Sequence, residues 1–280
     1  MNKMGLKSVN QLLRMADEKK KAVVALDCGM FEEMECVVRA AEKVGCPAIL
    51  MYYPGGMSST AFSAIATDLA NRATTDISYI LDHGPSYEVA MDCIKAGFPS
   101  IMIDHSDLPF EENVRLTKEV VRTAHLFGVD VEAELGHVGE ACNEADYKDS
   151  SLFAKPDEVV EFIKQTGVDS LAVHIGSAHG IYRSEPSLDL ELLKEINRVT
   201  DVPLVLHGGS GIPLEQVRQA IKLGINKTNF GTEYDGRFAK AMLETLKTRD
   251  QNKFTYELAP LYYEKVTDYL EGLMHMAWDD

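Results

Sequence analysis

Short apolar runs alternate with longer amphipathic segments along most of the chain. Eight runs stand out, at Ala22–Leu26, Ala48–Tyr52, Ile77–Leu81, Ser100–Ile103, Val129–Glu134, Ser170–Val173, Leu204–Leu206 and Lys227–Phe230. Most of them are apolar at consecutive positions, which is typical of parallel strands that are covered on both faces. Each run therefore predicts one buried strand.

The segments between these runs repeat their apolar residues with the helical period. They are Glu32–Val44, Met57–Ala73, Ser86–Ala96, Phe110–Phe127, Pro156–Thr166, Leu188–Val199 and Leu214–Leu223. Strands that alternate with helices require crossover connections and hence a parallel sheet. Eight such units predict an α/β fold, a closed (β/α)8 TIM barrel. No G-x-G-x-x-G follows the first strand, which argues against an open dinucleotide-binding sheet.

Two segments lie outside the eight units. Ser8–Lys19 predicts an N-terminal helix that closes the bottom of the barrel, and the residues after Thr232 predict an eighth helix. An aromatic-rich helical region, Tyr256–Met276, follows, so residues 1–280 are interpreted as one barrel domain with a C-terminal helical extension over 240–280. Two interpretations of the aromatic side chains stay open, a subunit interface and packing on the outside of the barrel; the residues are Tyr262, Tyr263, Tyr269 and Trp278.

Composition narrows the class of protein. Hydrophobic residues make up 45% of the 280 residues, which excludes an intrinsically disordered chain. The net charge of −16 argues against nucleic acid as a partner, because phosphate backbones need Lys and Arg. The sequence has no apolar run of membrane-spanning length, no signal-peptide pattern and no CxxC among its five cysteines, so a cytoplasmic protein without a membrane partner is expected.

Unusual polar residues cluster where the predicted strands end. Six of the eight histidines stand there, as His83, His105, His137, His174, His179 and His207. TIM barrels place their chemistry at the C-terminal ends of the strands, and a catalytic zinc takes three protein ligands. The clustering therefore predicts a divalent metal site, while spacing alone leaves open which three residues bind the ion.

Two glycine-rich turns complete this rim. They are His207-Gly208-Gly209-Ser210-Gly211 and Asn229-Phe230-Gly231-Thr232, after the seventh and eighth strands. Loops at these two positions bind phosphate in many barrels, because glycine lets backbone N–H groups approach an anion. The alternative is that they are tight turns only. A metal beside a phosphate cradle predicts a phosphorylated substrate whose carbonyl or hydroxyl group meets the metal.

Several strings then resemble one known family. YILDHG, SIMIDHSDLPFEENV, VEAELGHVGE, SLAVHIGSAHGIY, PLVLHGGSGIP and NKTNFGTE are similar, in order and spacing, to the class II zinc-dependent ketose-bisphosphate aldolases, in the tagatose- and fructose-bisphosphate branch. The resemblance implies cleavage of a ketose 1-phosphate or 1,6-bisphosphate to dihydroxyacetone phosphate and an aldehyde through a zinc-stabilised enediolate. It also implies a homodimer or homotetramer.

The resemblance assigns roles to individual residues. Asp82 would exchange the proton of the C4 hydroxyl, and His83, His179 and His207 would bind Zn²⁺ or another divalent metal, with Asp104 and Glu134 nearby as further metal-binding positions. Backbone carbonyls near Ala178, Gly180 and Gly208 would hold Na⁺ or K⁺. The substrate, its phosphate above all, would contact Gly180, Gly208, Gly209, Ser210, Asn229, Phe230, Gly231 and Thr232.

Some positions depart from the family pattern. Gly84 replaces a common second histidine, and Leu26-Asp27 stands where a Phe-Asn pair is common near the substrate. The loop after the fifth strand is also altered, so Glu140 is the candidate C3 base and Glu144 its rival, with two solvated acids as the alternative. These changes keep open a metal-dependent epimerase or lyase acting on another phosphorylated sugar. A non-catalytic barrel is the third hypothesis, and Asp82 argues against it.

Overall fold

The computed structural model describes residues 6–250, 252 and 254–279. Eight parallel strands form a closed barrel in chain order, so all eight predicted strands are confirmed. They are β1 Val23–Asp27, β2 Ala48–Tyr52, β3 Ile77–Gly84, β4 Ser100–Ile103, β5 Asp130–Leu135, β6 Ser170–Val173, β7 Leu204–Leu206 and β8 Ile225–Phe230. The barrel closes where Val24 of β1 pairs with Thr228 of β8.

Helices surround this barrel, as the amphipathic segments predict. They are α1 Val9–Glu18, α2 Phe31–Val44, α3 Ser59–Arg72, α4 Tyr87–Ala96, α5 Phe110–Leu126, α6 Ala145–Lys148, α7 Pro156–Thr166, α8 Leu190–Val199, α9 Leu214–Lys222, α10 Thr232–Lys247 and α11 Ala259–Trp278. Short 3-10 turns occupy Ser150–Leu152 and Thr255–Leu258. Within the described residues, no helix combines the length and apolar character needed to cross a bilayer.

Helix α1 closes the bottom of the barrel, as its amphipathic pattern predicts. Ser8 caps it, with its Oγ accepting from the backbone N–H of Gln11 at 3.4 Å. Leu12 and Leu13 are fully buried and pack against inward-facing strand residues, among them Ile49. The helix start is fixed to the strands because the backbone N–H of Val9 donates to Ser100 Oγ at 2.8 Å. The barrel interior is therefore a closed apolar core below the active rim.

The C-terminal helices pack on the outside of the barrel. Helix α11 lies against α2, and Tyr262 and Tyr263 are buried there. The Arg39 guanidinium stacks 5.0 Å from the centre of the Tyr263 ring, and Arg237 stacks 4.2 Å from that of Tyr269. Of the two interpretations left open for these aromatic residues, packing within the chain describes the contacts they make.

Strand β3 runs three residues beyond its predicted end, into the polar triplet Asp82-His83-Gly84. Its pairing with β4 shifts register between Leu81 and Gly84. A side chain at Gly84 would collide with the carbonyl oxygen of Met102 and come within 2.8 Å of Leu81 Cδ2. The close approach of the two strands thus leaves no room for a side chain at Gly84.

Candidate active site

A cavity of about 450 Å³ opens at the C-terminal rim of the barrel. Residues on or just after each of the eight strands line it, so the site draws on the whole barrel. The predicted residues among them are Asp82, His83, Asp104, Glu140, His179, Gly180, Gly208, Ser210, Asn229, Gly231 and Thr232. This placement agrees with the rule that barrel chemistry sits at the strand ends.

Three histidines come together at this cavity: His83 at the end of β3 and His179 on the loop after β6 line it, and the buried His207, after β7, lies behind them. One ring nitrogen from each of His83, His179 and His207 lies within 4.8 Å of the other two. The ring centres are 4.7 Å apart for His83 and His179 and 4.8 Å apart for His83 and His207. Three imidazoles in such a cluster are the ligands of many catalytic zinc sites. A second group, His83 with Asp104 and Glu134, meets the same distance limit.

The rings are held in place through their other nitrogens. His83 Nδ1 hydrogen-bonds to Asp104 Oδ2 at 2.6 Å, and His179 Nδ1 donates to the Val138 carbonyl at 3.1 Å. The Nε2 atoms of both rings remain available for a ligand. His83 also has a positive φ of 43°, an uncommon conformation for a residue with a side chain, which is found most often at functional sites.

His207 is fully buried between two carboxylates. Its Nδ1 lies 2.9 Å from Glu134 Oε2 and its Nε2 lies 3.0 Å from Glu132 Oε1. Glu132 also receives Lys227 Nζ at 2.8 Å on both of its oxygens. Both ring nitrogens are thus held by carboxylates, so one of these two contacts has to open before His207 can bind a metal ion, and the other can then orient the ring.

Neighbouring carboxylates shift the titration of the histidines. Burial alone would lower the pKa of His83, but Asp82 and the hydrogen bond from Asp104 raise it to about 10. Burial also works against protonation of His207, whose pKa is nevertheless raised by its hydrogen bonds to Glu132 and Glu134. For His179, burial lowers the pKa to about 3, helped by the charges of His83 and His207. The cluster thus lies in a negative potential that suits a cation.

The Asp82 carboxyl group lies beside this cluster. Its Oδ2 is 4.0 Å from His83 Nε2, and Asn229 Nδ2 donates to its Oδ1 at 3.3 Å. Asp27, at the end of β1, faces the same space; burial first, and then the charge of Asp82, raise the pKa of Asp27 well above its ordinary value. The Oδ1 atoms of Asp27 and of Asn229 are buried and have no hydrogen-bond partner within the described residues.

The two glycine turns form the opposite wall. Gly208 has a positive φ of 64°, and a side chain there would collide with the Ala178 carbonyl. The Tyr182 hydroxyl accepts from the Ala178 N–H at 2.7 Å and donates to the Gly208 carbonyl at 3.0 Å, which joins the loops after β6 and β7. Gly231 is the N-cap of the 16-residue α10, so the positive end of that helix points at this wall.

The loop after β5 carries both candidate C3 bases, and the two occupy different surroundings. Glu140 lines the cavity, and its loop is tied to the loop after β6 because the Ala141 N–H donates to the His179 carbonyl at 2.7 Å. Glu144 pairs with Lys148 at 3.0 Å and is not among the residues that line the cavity. Asp146 accepts the Glu140 N–H at 2.8 Å and holds the loop in shape.

Some predicted residues lie behind the cavity wall. The Gly209 N–H donates to the Asn229 carbonyl at 3.0 Å, Gly209 packs against the Phe230 ring, and Phe230 is buried. Glu134 is buried too, and accepts from Ser106 Oγ at 2.9 Å besides its contact with His207. The roles of these residues stay predictions.

Sequence reasoning missed several residues that line or support the cavity. Asp27 and Tyr53 line it, and both stand at strand ends, so the rule that found the histidines applies to them as well. Tyr182 and Asp146 act through loop contacts that no spacing pattern reveals. Of the extra histidines, His137 lines the cavity, whereas His174 is fully buried against Phe153, with ring centres 4.7 Å apart.

Comparison with known proteins agrees with this geometry. The family model described as "Fructose-bisphosphate aldolase class-II" matches residues 7–278. A probable fructose-bisphosphate aldolase of Bacillus subtilis is 40% identical over 252 residues, covering 88% of each chain. A fructose-bisphosphate aldolase of Geobacillus stearothermophilus is 40% identical over 257 residues, covering 90% of this chain and 89% of its own. The crystal structure of the YdjI aldolase from Escherichia coli K12 superposes with a TM-score of 0.85 at 33% identity and covers 98% of each chain.

Proposed function

The chain belongs to the class-II fructose-bisphosphate aldolase family and is thus a lyase, and on this premise we propose that it cleaves a ketose 1-phosphate or 1,6-bisphosphate with the help of a divalent metal ion. The products are dihydroxyacetone phosphate and an aldehyde. The observation that carries the proposal is the group of three imidazole nitrogens within 4.8 Å of one another, beside Asp82.

Zinc fits the donor set that the chain provides. His83, His179 and His207 supply three imidazoles, and Asp104 and Glu134 orient two of the rings. A bound zinc ion would polarise the ketose carbonyl and offset the negative charge that develops as the carbon–carbon bond breaks. Asp104 and Glu134 also belong to the second possible ligand group, so with His83 they would offer an alternative metal site.

Asp82 is the proposed base for the carbon–carbon cleavage. Its carboxylate takes the proton of the C4 hydroxyl, the C3–C4 bond breaks and the aldehyde leaves. The amide of Asn229 holds one carboxylate oxygen at 3.3 Å, which leaves the other free to face the substrate. Glu140, which lines the cavity, enters this step protonated, donates its proton to C3 of the dihydroxyacetone phosphate half and is reprotonated from solvent.

The glycine wall is the proposed phosphate site. Backbone N–H groups at Gly208, Ser210 and Gly231 and the N-terminus of α10 suit a phosphate dianion, because both carry partial positive charge. Gly180 and Thr232 line the same wall. Carbonyl groups near Ala178, Gly180 and Gly208 remain the proposed place for Na⁺ or K⁺, with the Gly208 carbonyl already accepting from Tyr182.

A screen of phosphorylated ketoses tests the proposal. The purified protein is incubated with ketohexose 1-phosphates and 1,6-bisphosphates, triose phosphate release is followed with a coupled dehydrogenase, and the metal content of the same sample is measured. We expect dihydroxyacetone phosphate and about one divalent ion per chain. A protein that binds no divalent metal and releases no triose phosphate would exclude this function. An isomeric sugar as the product would indicate an epimerase.

A further inference from the structure

The active-site cavity has two sides of different chemistry. The loops after β6, β7 and β8 bring glycine turns and the positive end of α10 to one side. In the closed strand order, β2 to β5 lie across the barrel from them. The residues after these strands that face the cavity include Tyr53, Asp104, His137 and Glu140. A substrate whose phosphate lies in the glycine turns therefore extends its other half towards this second side.

The cavity carries an excess of acidic groups. Five carboxyl groups line it, and no Lys or Arg of the described chain does; the five are Asp27, Asp82, Asp104, Glu140 and Asp146. Among the described residues, His83 and His137 are the basic side chains on the second side; His83 Nδ1 is held by Asp104 at 2.6 Å, and His137 Nδ1 lies 3.0 Å from Ser106 Oγ. The half of the substrate that lies here therefore meets acids and hydroxyl groups.

The nearest cations stand elsewhere. Lys227 is fully buried and both oxygens of Glu132 lie 2.8 Å from its Nζ, so its charge is matched below the cavity. Arg183, Arg237 and Lys240 line a neighbouring cavity of about 1040 Å³. That cavity shares Gly180, Ser210 and Thr232 with the active site, so these cations lie behind the glycine wall. Within the described residues, the Lys and Arg side chains near the site thus lie behind the glycine wall or below the cavity, and the second side has none.

This polarity bears on the number of phosphates in the substrate. A phosphate dianion that is removed from water needs N–H donors or cations to replace its hydration. The glycine side offers N–H groups and has cations behind its wall, whereas a second phosphate would face Asp104 and Glu140 with no Lys or Arg of the described residues beside it. An uncharged carbon chain with hydroxyl groups keeps its hydrogen bonds on the second side, because carboxylate oxygens accept hydrogen bonds from hydroxyl groups.

We infer that the substrate is a ketose 1-phosphate whose aldehyde half carries hydroxyl groups and no second phosphate. The inference rests on the proposed aldolase function and narrows it. It separates this chain from an enzyme that requires a 1,6-bisphosphate, although its relatives include proteins named fructose-bisphosphate aldolase.

The reaction run in the direction of synthesis tests the inference with matched aldehydes. The zinc-loaded protein is given dihydroxyacetone phosphate and either D- or L-glyceraldehyde, or the 3-phosphate of the same enantiomer. We expect kcat/KM for the better free aldehyde to exceed that of its phosphate at least tenfold. An equal or higher value for the phosphorylated aldehyde would overturn the inference and leave the aldolase function standing.

A second readout separates the two failures. Exchange of the C3 hydrogen of dihydroxyacetone phosphate in D₂O, followed by NMR without any aldehyde, reports the aldolase half-reaction alone. Exchange together with a preference for the phosphorylated aldehyde counts against the inference. If no hydrogen exchange is observed, the proposed aldolase function is contradicted, and so is the inference that rests on it.

An added positive charge on the second side tests whether electrostatics causes the preference for an unphosphorylated aldehyde. Tyr53 lines the second side and is 62% exposed, so an arginine fits at this position without burial. We expect Tyr53→Arg to shift the ratio of kcat/KM about tenfold or more towards the phosphorylated aldehyde. Tyr256→Arg, at a site that is 75% exposed and outside the cavity, makes the same charge change and should leave the ratio unaltered. Equal ratios in Tyr53→Arg and the native protein would contradict the electrostatic explanation.

Discussion

At the scale of single residues, the site depends on carboxyl groups in different surroundings. Asp104 is committed to His83 and to the Ser106 N–H, and although burial opposes it, these contacts hold its pKa below the usual range. The pKa of Glu132 is about 2, because Lys227 and His207 outweigh the burial that would raise it. Asp82 has a single weak donor, Asn229, at 3.3 Å. Among these acids, Asp82 is the one left free to exchange a proton with a substrate.

Replacement of Asp82 should separate chemistry from metal binding. Asp82→Asn keeps the shape of the side chain and removes the proton acceptor, so we expect kcat to fall about 10²- to 10⁴-fold. Metal content and the midpoint of thermal unfolding should stay close to those of the native protein. His207→Ala is the matched comparison and should instead lower the metal content. Full turnover in Asp82→Asn would show that the proton is taken elsewhere.

The buried His174 should make stability depend on pH. Burial lowers the pKa of His174 to about 4, and neither ring nitrogen has a partner within the described residues. The unfolded chain, with a histidine pKa near 6.5, therefore binds more protons between pH 6.5 and 4, and stability falls as the pH drops through this range. From pH 7.5 to 5 the loss from this residue is about 2 kcal/mol.

His174→Leu removes this contribution. We expect the variant to be as stable as the native protein at pH 7.5 or more so, because two unpaired polar nitrogens leave the core. Its unfolding free energy should fall less between pH 7.5 and 5, by about 2 kcal/mol. Denaturant titrations of both proteins at the two pH values measure the difference. An identical pH dependence would mean that His174 titrates normally in the folded protein.

At the scale of elements, the loop after β5 separates two glutamates that spacing alone could not rank. Glu140 borders the cavity, while Glu144 is exposed and paired with Lys148. Glu140→Gln should slow both turnover and C3 hydrogen exchange about 100-fold, as expected for loss of a general base. Glu144→Gln makes the same chemical change four residues away and should remain near the native rate. Equal losses in both variants would argue for a role of the whole loop.

Helix α1 contributes stability without touching the site. Leu13 is fully buried against the barrel interior, so Leu13→Ala should lower the unfolding free energy by about 2–5 kcal/mol and leave KM unchanged. Leu126, 85% exposed at the end of α5, is the control, and Leu126→Ala should stay within about 0.5 kcal/mol of the native value. A small effect at Leu13 would mean that the barrel bottom repacks without the side chain.

Strands and helices could be predicted from the sequence where their burial produces a regular pattern of apolar residues. Most strands of the barrel are apolar on both faces, so they were visible as short runs. The extension of β3 through Asp82-His83-Gly84 was not visible, because its residues are polar and its pairing with β4 depends on Gly84 fitting against Met102. Helix α6, four residues long, is too short to show a period.

The residues of the candidate site also divide into those that the sequence could predict and those that it could not. Histidines at strand ends marked the metal group, because six of the eight histidines stand there, and runs of glycine after the seventh and eighth strands marked the phosphate wall. Asp27 and Tyr53 also stand at strand ends, but their residue types did not single them out, because isolated acids and tyrosines are common on surfaces. The restraint of His207 by Glu132 and Glu134 required three dimensions, since the residues are 75 and 73 positions apart.

At the scale of the whole molecule, the charge of −16 extends into the active site. Acids outnumber cations in the cavity, and only the glycine turns and the N-terminus of α10 offset them for an anion. A divalent ion among the three histidines adds positive charge at the centre of this field. Metal binding is therefore expected to stabilise the folded chain as well as to support catalysis, because the unfolded chain does not bring the three rings together.

Removal of the metal should show this coupling. At a free zinc concentration 100 times the dissociation constant, binding stabilises the folded state by about 2.7 kcal/mol, or roughly 5 °C in Tm. Treatment with a chelator should abolish cleavage and lower Tm by this amount, and added Zn²⁺ should restore both. Neither the chelator nor added Zn²⁺ should change the Tm of His207→Ala, because its ligand group is incomplete. If the chelator changes neither the Tm nor the activity of the native protein, the proposed metal site is contradicted, and catalysis depends on the side chains alone.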